Sequence, residues 1–343
     1  SNTAVGREAL KYNTTASNNT AVGKSSLAAN TTGSSNTAVG LNAATANTTG
    51  SLNTALGAES LDTNTTGGSN TGVGYAALYA NTTGDNNVAV GSQSLDANTT
   101  GASNVAIGQN ALTANTTAAS NTAVGKSALA ATTTGGSNTA LGTDAGSSIT
   151  TGNTNVAVGK SALYTNTVGD RNVAVGHQAM YYTVPSSNAD MYNVAVGYES
   201  LLQNTTGTQN VAIGGLALDA NTTGTTNTAV GHLSLSANTT ASHNTGIGWS
   251  ALAANTTGDL NVAVGYGALD TNTTGDRAVA VGVGALGTQD TSGDTYNVAV
   301  GYSAGTGITT GTKNVAVGGL ALEDATTGQE NTAIGHQALT ADT

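Results

Sequence analysis

Apolar residues recur along this chain in short, evenly spaced clusters. The unit Asn-(Thr/Val)-Ala-Val-Gly begins at Asn2 and returns every 17 residues, so that the chain contains twenty copies. The period is 17 everywhere except from Asn172 to Asn193, where it is 21, and from Ala278 to Asn297, where it is 19. A fixed period of this size indicates a repeat architecture in which each copy is one structural unit.

Numbered from 1 to 17, each copy follows the consensus N-[T/V]-A-V-G-x-x-A-L-x-x-N-T-T-G-x-x. Position 5 is Gly in all twenty copies, position 3 is Ala or Gly, position 4 is Val, Ile or Leu, and position 8 is Ala or Ser. Position 6 accepts nearly any residue, including Arg7, Lys24 and Gln109. Restriction to small or aliphatic residues predicts the interior of the fold, and tolerance predicts its surface.

Short strands fit this pattern better than helices, because every copy carries Gly, Asn and Thr, which destabilise a helix. The stretch Thr3-Ala4-Val5 ends at Gly6, and Ala9-Leu10 is followed by a turn-type Asn-Thr-Thr run. Two strands and two turns in each copy predict an all-β parallel β-solenoid of about twenty 17-residue coils. Positions 2 and 4 then share one face of the first strand, and position 3 takes the other.

An internal pair of substitutions tests this arrangement. Position 9 is Leu or Met in all but three copies, and two exceptions, Gly146 and Gly305, occur in the copies that carry Ile149 and Ile308 at position 12. The apolar volume moves without being lost, so positions 9 and 12 are predicted to fill the same interior space. The third exception, Ala44, has no compensating partner in the sequence.

Composition narrows the function classes. The 343 residues include 8 Lys and Arg against 19 Asp and Glu, a net charge of −11 that disfavours nucleic acid. No Cys is present, which excludes disulfides and thiolate metal sites. No apolar run approaches the ~20 residues that span a bilayer. Large core side chains are scarce, so we expect copies of the chain to pack together as a homo-oligomer or an end-to-end polymer.

Several units resemble a known signature. Asn-Val-Ala-Val-Gly at 87–91 and 193–197, and Asn-Val-Ala-Ile-Gly at 104–108, are similar to the Asn-Ser-Val-Ala-Ile-Gly signature of trimeric autotransporter adhesin heads. Similar arrays of Asn-Thr-Ala-Val-Gly and Asn-Thr-Thr-Gly units occur in bacterial surface proteins and phage tail-fibre-like proteins. The resemblance covers essentially the whole chain and implies a left-handed parallel β-roll, three chains around one axis, and an extracellular fibre or adhesin. The family's coils are typically shorter, and Asn-Thr-Thr-Gly is not part of its signature.

The Asn-Thr-Thr motifs allow two interpretations. Each is formally an N-glycosylation acceptor, but glycans one coil apart, at ~5 Å, would crowd. A stacked Asn ladder is therefore favoured over a glycan coat. The Thr residues stacked from coil to coil could also suggest an ice-binding surface, although each coil would offer only one exposed Thr. The motifs begin at Asn13, Asn30, Asn47, Asn64, Asn81, Asn98, Asn115, Asn204, Asn221, Asn238, Asn255 and Asn272.

Two sets of residues are candidates for partner contact. Aromatic residues at position 6 form a sparse column in which surface glycans could be bound, although variable surface residues are the simpler interpretation. The insertion at 181–192 is apolar for a loop and is the second candidate, with a functionless bulge as its alternative. The residues are Tyr75, Tyr198, Trp249, Tyr266 and Tyr302 in the column, and Tyr181, Tyr182 and Tyr192 in the insertion.

The sequence predicts a structural protein, part of an elongated extracellular fibre or stalk at a cell surface or on a virion tail. An adhesin or tail-fibre shaft that binds surface glycans is the alternative, and ice binding is a third. No catalytic constellation emerges, so an enzyme is not expected, and neither a cofactor nor a metal site is predicted. We expect one continuous array over 1–343, with loop insertions near 181–192 and 288–296. We expect this array to be a segment of a longer chain, since a solenoid end presents unpaired strand edges.

Overall fold

The computed structural model describes residues 1–187 and 189–340. The chain forms two compact units, Ser1–Asp170 (unit 1) and Arg171–Thr343 (unit 2). The strands of unit 1 are β1 (Thr3–Val5), β2 (Thr20–Val22), β3 (Thr37–Val39), β4 (Thr54–Leu56), β5 (Thr71–Val73), β6 (Val88–Val90), β7 (Val105–Ile107), β8 (Thr122–Val124), β9 (Thr139–Leu141) and β10 (Val156–Val158). The strands of unit 2 are β11 (Val173–Val175), β12 (Val194–Val196), β13 (Val211–Ile213), β14 (Thr228–Val230), β15 (Thr245–Ile247), β16 (Val262–Val264), β17 (Gly275–Asp276), β18 (Val279–Val281), β19 (Gly293–Asp294), β20 (Val298–Val300), β21 (Val315–Val317) and β22 (Thr332–Ile334).

Within each unit the three-residue strands stack in parallel and in register. In unit 1, for example, Ala4 pairs with Ala21. In unit 2, Ala174 pairs with Ala195 across the longer insertion, so that the extra residues leave the register intact. Equal positions of successive copies therefore lie above one another, and each unit is a parallel β-solenoid with one copy of the repeat per coil. No helix of the described ranges is long and apolar enough to cross a membrane.

The interior of each coil is filled from positions 3, 8 and 9. In one coil of unit 1, Ala106, Ala111 and Leu112 are completely buried. Position 4, which was predicted to lie inside because it is always aliphatic, lies on the outer face instead: Ile107 is 40% exposed and Leu141 is 50% exposed. That prediction is wrong. Neighbouring residues of a strand point to opposite faces, and the face of position 3 turns inward, where the Leu of position 9 already occupies the space.

Turns replace the second strand that the sequence predicted in each coil. Asn110 and Leu112, at positions 7 and 9, have φ angles of 57° and 52°, and the same left-handed conformation recurs in other coils. Residues in this conformation cannot continue a pleated strand. The coils remain bonded to one another on this side, because the Leu112 N–H donates to the Ala128 carbonyl at 3.0 Å and the Ala114 N–H to the Ala130 carbonyl at 3.0 Å.

The predicted sharing of space between positions 9 and 12 is confirmed. A Cβ built on Gly146 would lie 3.0 Å from Cδ1 of Ile149, and one on Gly305 would lie 3.1 Å from Cδ1 of Ile308. Both isoleucines are buried. The branched side chain of position 12 therefore fills the volume that Leu occupies in the other copies, and Gly relieves the left-handed backbone at position 9.

A second compensating pair became visible only in the structure. Gly72 and Gly246 are the two glycines at position 3, and each lies one coil after a buried Ser at position 8. A Cβ on Gly72 would lie 2.5 Å from Oγ of Ser60, and one on Gly246 would lie 2.6 Å from Oγ of Ser234. The Ser60 hydroxyl donates to the Gly72 carbonyl at 2.9 Å. The hydroxyl thus occupies the space of the missing methyl group.

Candidate functional site

The Asn residues of the Asn-Thr-Thr motifs point into the coils. Nδ2 of Asn98 donates to Oδ1 of Asn81 at 2.8 Å and to the Gly101 carbonyl at 3.0 Å, while its Oδ1 accepts from Nδ2 of Asn115 at 2.8 Å. All of these motif residues except Asn13, which lies in the first coil, are completely buried. An N-linked glycan replaces one amide hydrogen, and in this ladder both hydrogens are already donated inside the protein, so the folded coil has no space for the sugar.

A parallel ladder at position 1 was not predicted. The backbone N–H of Asn36 donates to Oδ1 of Asn19 at 2.9 Å, and Nδ2 of Asn36 donates to the Gly50 carbonyl at 2.9 Å. Asn47 of the motif ladder donates to the same Gly50 carbonyl at 2.9 Å. The two ladders therefore close the turn from both sides. The signal in the sequence was the presence of Asn at position 1 in nineteen of twenty copies.

An aliphatic strip runs along the outer face of each unit at position 4. Its residues are half-buried or exposed in every described coil, although they are always Val, Ile or Leu. Position 2 projects from the same face of the same strand and is Thr in ten copies and Val in the other ten. Thr favours strands as Val does, so strand propensity does not explain why Thr never occurs at position 4. The strip consists of Val5, Val22, Val39, Leu56, Val73, Val90, Ile107, Val124, Leu141 and Val158 in unit 1, and of Val175, Val196, Ile213, Val230, Ile247, Val264, Val281, Val300, Val317 and Ile334 in unit 2.

The position-6 column comprises the sixth residue of every coil and lies beside this strip. Tyr75, Tyr198, Trp249, Tyr266 and Tyr302 are all exposed. Two pairs of rings stack on each other: Trp249 with Tyr266 at 4.7 Å between ring centroids, and His177 with Tyr198 at 5.7 Å. Each of these rings has one face covered by its neighbour. Sugars stack on a free aromatic face, and within the pairs the inner faces are already occupied.

The insertion at 181–192 is anchored by buried residues and exposes others. Pro185 and Met191 are buried, whereas Tyr182, Val184 and Tyr192 are exposed. The rings of Tyr181 and Tyr182 meet edge to face at 4.6 Å. Residue 188 of this insertion lies outside the described residues. The structure thus brings Tyr181 and Tyr182 into contact in unit 2.

Both insertions carry the same surface cluster, which sequence reasoning missed. Arg171 pairs with Asp190, and Arg277 pairs with Asp294. The hydroxyl of Tyr192 donates to Asp190 at 3.0 Å, and that of Tyr296 donates to Asp294 at 3.1 Å. Each guanidinium also lies over the tyrosine ring, at 5.6 Å and 5.9 Å from the ring centroid. The signal was present in the sequence: Gly-Asp-Arg precedes each insertion, and Asp-x-Tyr-Asn ends it.

Asp219 at position 10 is the half-buried carboxyl with the largest change in acidity. Desolvation, reinforced by the negative charge of Glu199, outweighs hydrogen bonds from backbone amides and raises the pKa of Asp219 from 3.8 to about 6. Its Oδ1 is buried without a hydrogen-bond partner. A carboxyl whose folded-state pKa is raised favours the folded state in its protonated form, so its contribution to stability is lost as the pH rises through about 6.

Replacing Asp219 by Asn is therefore expected to stabilise unit 2 at pH 7.5 by about 1 kcal/mol, the small figure reflecting partial solvent screening. Below pH 3.8 the difference should vanish, because the carboxyl is then protonated in both states. Urea unfolding at the two pH values measures this. The exposed Asp324 supplies the control, and Asp324→Asn should change the free energy of unfolding at pH 7.5 by less than about 0.5 kcal/mol. An Asp219→Asn variant with no gain at pH 7.5 would contradict the expectation.

The candidate surfaces are open faces of the coils and not clefts. The described surface contains no pocket, and in the described part of the chain no group of three or more His, Asp or Glu side chains is placed to hold a metal ion. No protein-family model matches the chain, and a search of curated proteins finds no match. The exposed strip and the position-6 column are therefore the candidate functional surfaces of the chain.

Proposed function

We propose that this protein is a structural component of an elongated extracellular fibre or stalk, in which copies associate side by side along the aliphatic strip. The observation that carries the proposal is the contrast between positions 2 and 4 on one strand face. Position 4 is never Thr in the twenty copies, although its side chains are half-buried or exposed and none is buried. An exposed position that admits only aliphatic side chains is best explained by an apolar partner that covers it.

The strip is large enough for this role. Covering a half-exposed Val or Ile removes roughly 50 Å² of apolar surface, which is worth about 1.3 kcal/mol per coil. Ten coils would then bury roughly 500 Å² from position 4 alone, and the flanking positions 2 and 6 bring the area near the ~800 Å² per partner of a stable interface. A uniform coil spacing lets the aliphatic residues of two copies interdigitate along the whole strip.

The extracellular location in this proposal is supported by the resemblance of the Asn-Val-Ala-Val-Gly units to adhesin heads and fibre proteins. The solenoid fold is typical of structural repeat proteins. It extends by adding coils, and each coil is stabilised by its neighbours, so the repeat suits a shaft whose length is set by the number of copies.

Substitution of Val by Thr on the strip tests the proposal, because Thr keeps the shape and the strand preference while removing apolar surface. We expect the triple strip variant to associate about 100-fold more weakly than the wild type. Circular dichroism and the midpoint of thermal unfolding should be nearly unchanged for the separated chains. Sedimentation velocity over a concentration series measures the association. The triple variant carries Val90→Thr, Val124→Thr and Val158→Thr.

The matched control places the same three changes at position 2, which accepts Thr naturally, and should weaken association far less than the strip variant does. A wild-type chain that stays monomeric at all concentrations would refute self-association. A strip variant that assembles as well as the control would show that the strip is not the interface. The control variant carries Val88→Thr, Val105→Thr and Val156→Thr.

A further inference from the structure

Three lysines in the position-6 column of unit 1 lack an ion-pair partner. Lys24, Lys126 and Lys160 are exposed, and no carboxylate of the described residues lies within ion-pair distance of them. The other five cations all have such a partner: Arg7 and Lys11 with Glu8, Arg171 with Asp190, Arg277 with Asp294, and Lys313 with Glu330. In a chain with 19 acidic residues, the cations without partners are confined to one column of one unit.

The two units differ strongly in charge. Unit 1 has five Lys and Arg against seven Asp and Glu, a net charge of −2, whereas unit 2 has three against twelve, a net charge of −9. When two identical copies associate, pairing of unit 2 with unit 2 would bring two highly negative surfaces together. Pairing of unit 1 with unit 2 greatly reduces this repulsion and offers free cations to the more negative surface.

The position-6 columns of the two units also differ in chemistry. In unit 2 the column carries an aromatic ring or a His in seven of its ten coils, whereas unit 1 carries only Tyr75. The three lysines occupy the second, eighth and tenth coils of unit 1, and the same coils of unit 2 carry Tyr198, Tyr302 and His336. Three coils of unit 2 have no ring at position 6, namely those of Gly215, Val283 and Gly319. The equivalent coils of unit 1 have no lysine at that position.

We propose that unit 1 of one copy packs against unit 2 of a second copy, with strands running in the same direction and the position-6 columns facing each other coil for coil. The inference rests on the proposed side-by-side association and specifies its partner surfaces. Lys24 and Lys126 then lie over the rings of Tyr198 and Tyr302 of the second copy, as cation–π pairs. Because the two surfaces differ, the pair leaves unit 2 of the first copy and unit 1 of the second copy unused, and the assembly grows as an open filament.

Disulfide trapping tests this pairing, since the chain has no Cys of its own. Lys126→Cys and Tyr302→Cys are made in separate chains, mixed before assembly and oxidised, and the linked dimers are measured by non-reducing electrophoresis. The mixture should link at least about tenfold faster than either variant alone, because a disulfide requires Cα atoms within about 7 Å. Tyr266→Cys, two coils away from Tyr302, is the matched control and should link slowly with Lys126→Cys.

Linking of either variant with itself as fast as the mixture would overturn the proposal in favour of like-unit pairing, and so would assembly without any linking. Both outcomes leave the proposed fibre function intact. A wild-type chain that stays monomeric in sedimentation would contradict both the proposed fibre function and this pairing. Failure of the pairing alone can therefore be distinguished from failure of the proposed function.

A charge exchange provides an independent test. A chain with Lys24→Glu, Lys126→Glu and Lys160→Glu should associate about 10- to 100-fold more weakly, because two exposed cation–π contacts are lost and three negative charges then face the more negative unit 2. A chain with Tyr198→Lys and Tyr302→Lys should also associate weakly by itself. Mixing the triple-Glu chain with this double-Lys chain should restore assembly, since Glu then meets Lys. A triple-Glu chain that assembles normally but no longer binds heparin would show that the lysines serve an anionic polymer, and would overturn the proposal.

Discussion

Replacing Asn98 by Asp is expected to lower the free energy of unfolding by about 3–5 kcal/mol at pH 7, the cost of leaving a buried charge without compensation. Asp is nearly isosteric with Asn, so shape does not change. Nδ2 of Asn98, however, donates to Oδ1 of Asn81 and to the Gly101 carbonyl. A carboxylate in its place would put negative oxygen against both acceptors. Urea unfolding followed by circular dichroism measures the difference.

The exposed Asn86, at position 17 of the preceding coil, offers the matched control. It has a φ of 59°, a conformation that Asp tolerates as Asn does, so Asn86→Asp should change stability by less than about 0.5 kcal/mol. Burial raises the pKa of a carboxyl, so the Asn98→Asp deficit should shrink as the pH falls and the new group takes up a proton. Equal stability of the two variants at pH 7 would contradict a buried ladder.

Replacing Gly214 by Ala is expected to destabilise unit 2 by about 3 kcal/mol or more, since strained backbone and steric overlap add. Gly214 has a φ of 133°, and its added Cβ would lie 2.5 Å from the Gly231 carbonyl oxygen. The atom in the way belongs to the backbone of the next coil, so no side-chain rotation relieves the overlap. Thermal unfolding of the variant measures the loss.

The adjacent Gly215 is the control for this change. A Cβ there would meet Cδ2 of His232 at 3.4 Å and the Tyr198 carbonyl oxygen at 3.9 Å, both ordinary contacts, and Ala occurs naturally at the same position in Ala58. Gly215→Ala should therefore leave the unfolding midpoint within about 2 °C of the wild type. If both alanine variants unfolded together, the invariance of Gly at position 5 would need another explanation.

The period of the sequence was sufficient to predict the coil and its parallel stacking. Each copy must make the same contacts with its neighbours, so comparison of copies within one chain reveals which positions are restricted. The exchange between Gly146 and Ile149 was readable for this reason. The prediction that position 4 lies inside the coil failed, because the residue types allowed at a position can be limited for two different physical reasons. Position 3 is small because it faces a filled interior, whereas position 4 is aliphatic on an exposed face.

The candidate surfaces were harder to predict than the fold, because a surface side chain depends on atoms outside its own coil. The position-6 aromatics were recognised from the sequence. The stacking of Trp249 on Tyr266, however, depends on how their two rings are oriented in successive coils, and the sequence does not give that orientation. The lack of a partner for Lys126 likewise depends on the position of every carboxylate around it. Single copies of the repeat do not contain that information.

The two insertions have a consequence for how unit 2 finds its fold. Nearly identical coils are interchangeable neighbours, so a chain that skips one copy and loops out 17 residues would lose little contact energy, and many misaligned stacks would compete with the correct one. The clusters of Arg171 with Asp190 and of Arg277 with Asp294 form only between one specific pair of coils each. These contacts distinguish two coils of unit 2 from the other, nearly identical coils. They therefore favour the native pairing of coils over stacks in which the coils are shifted by one copy.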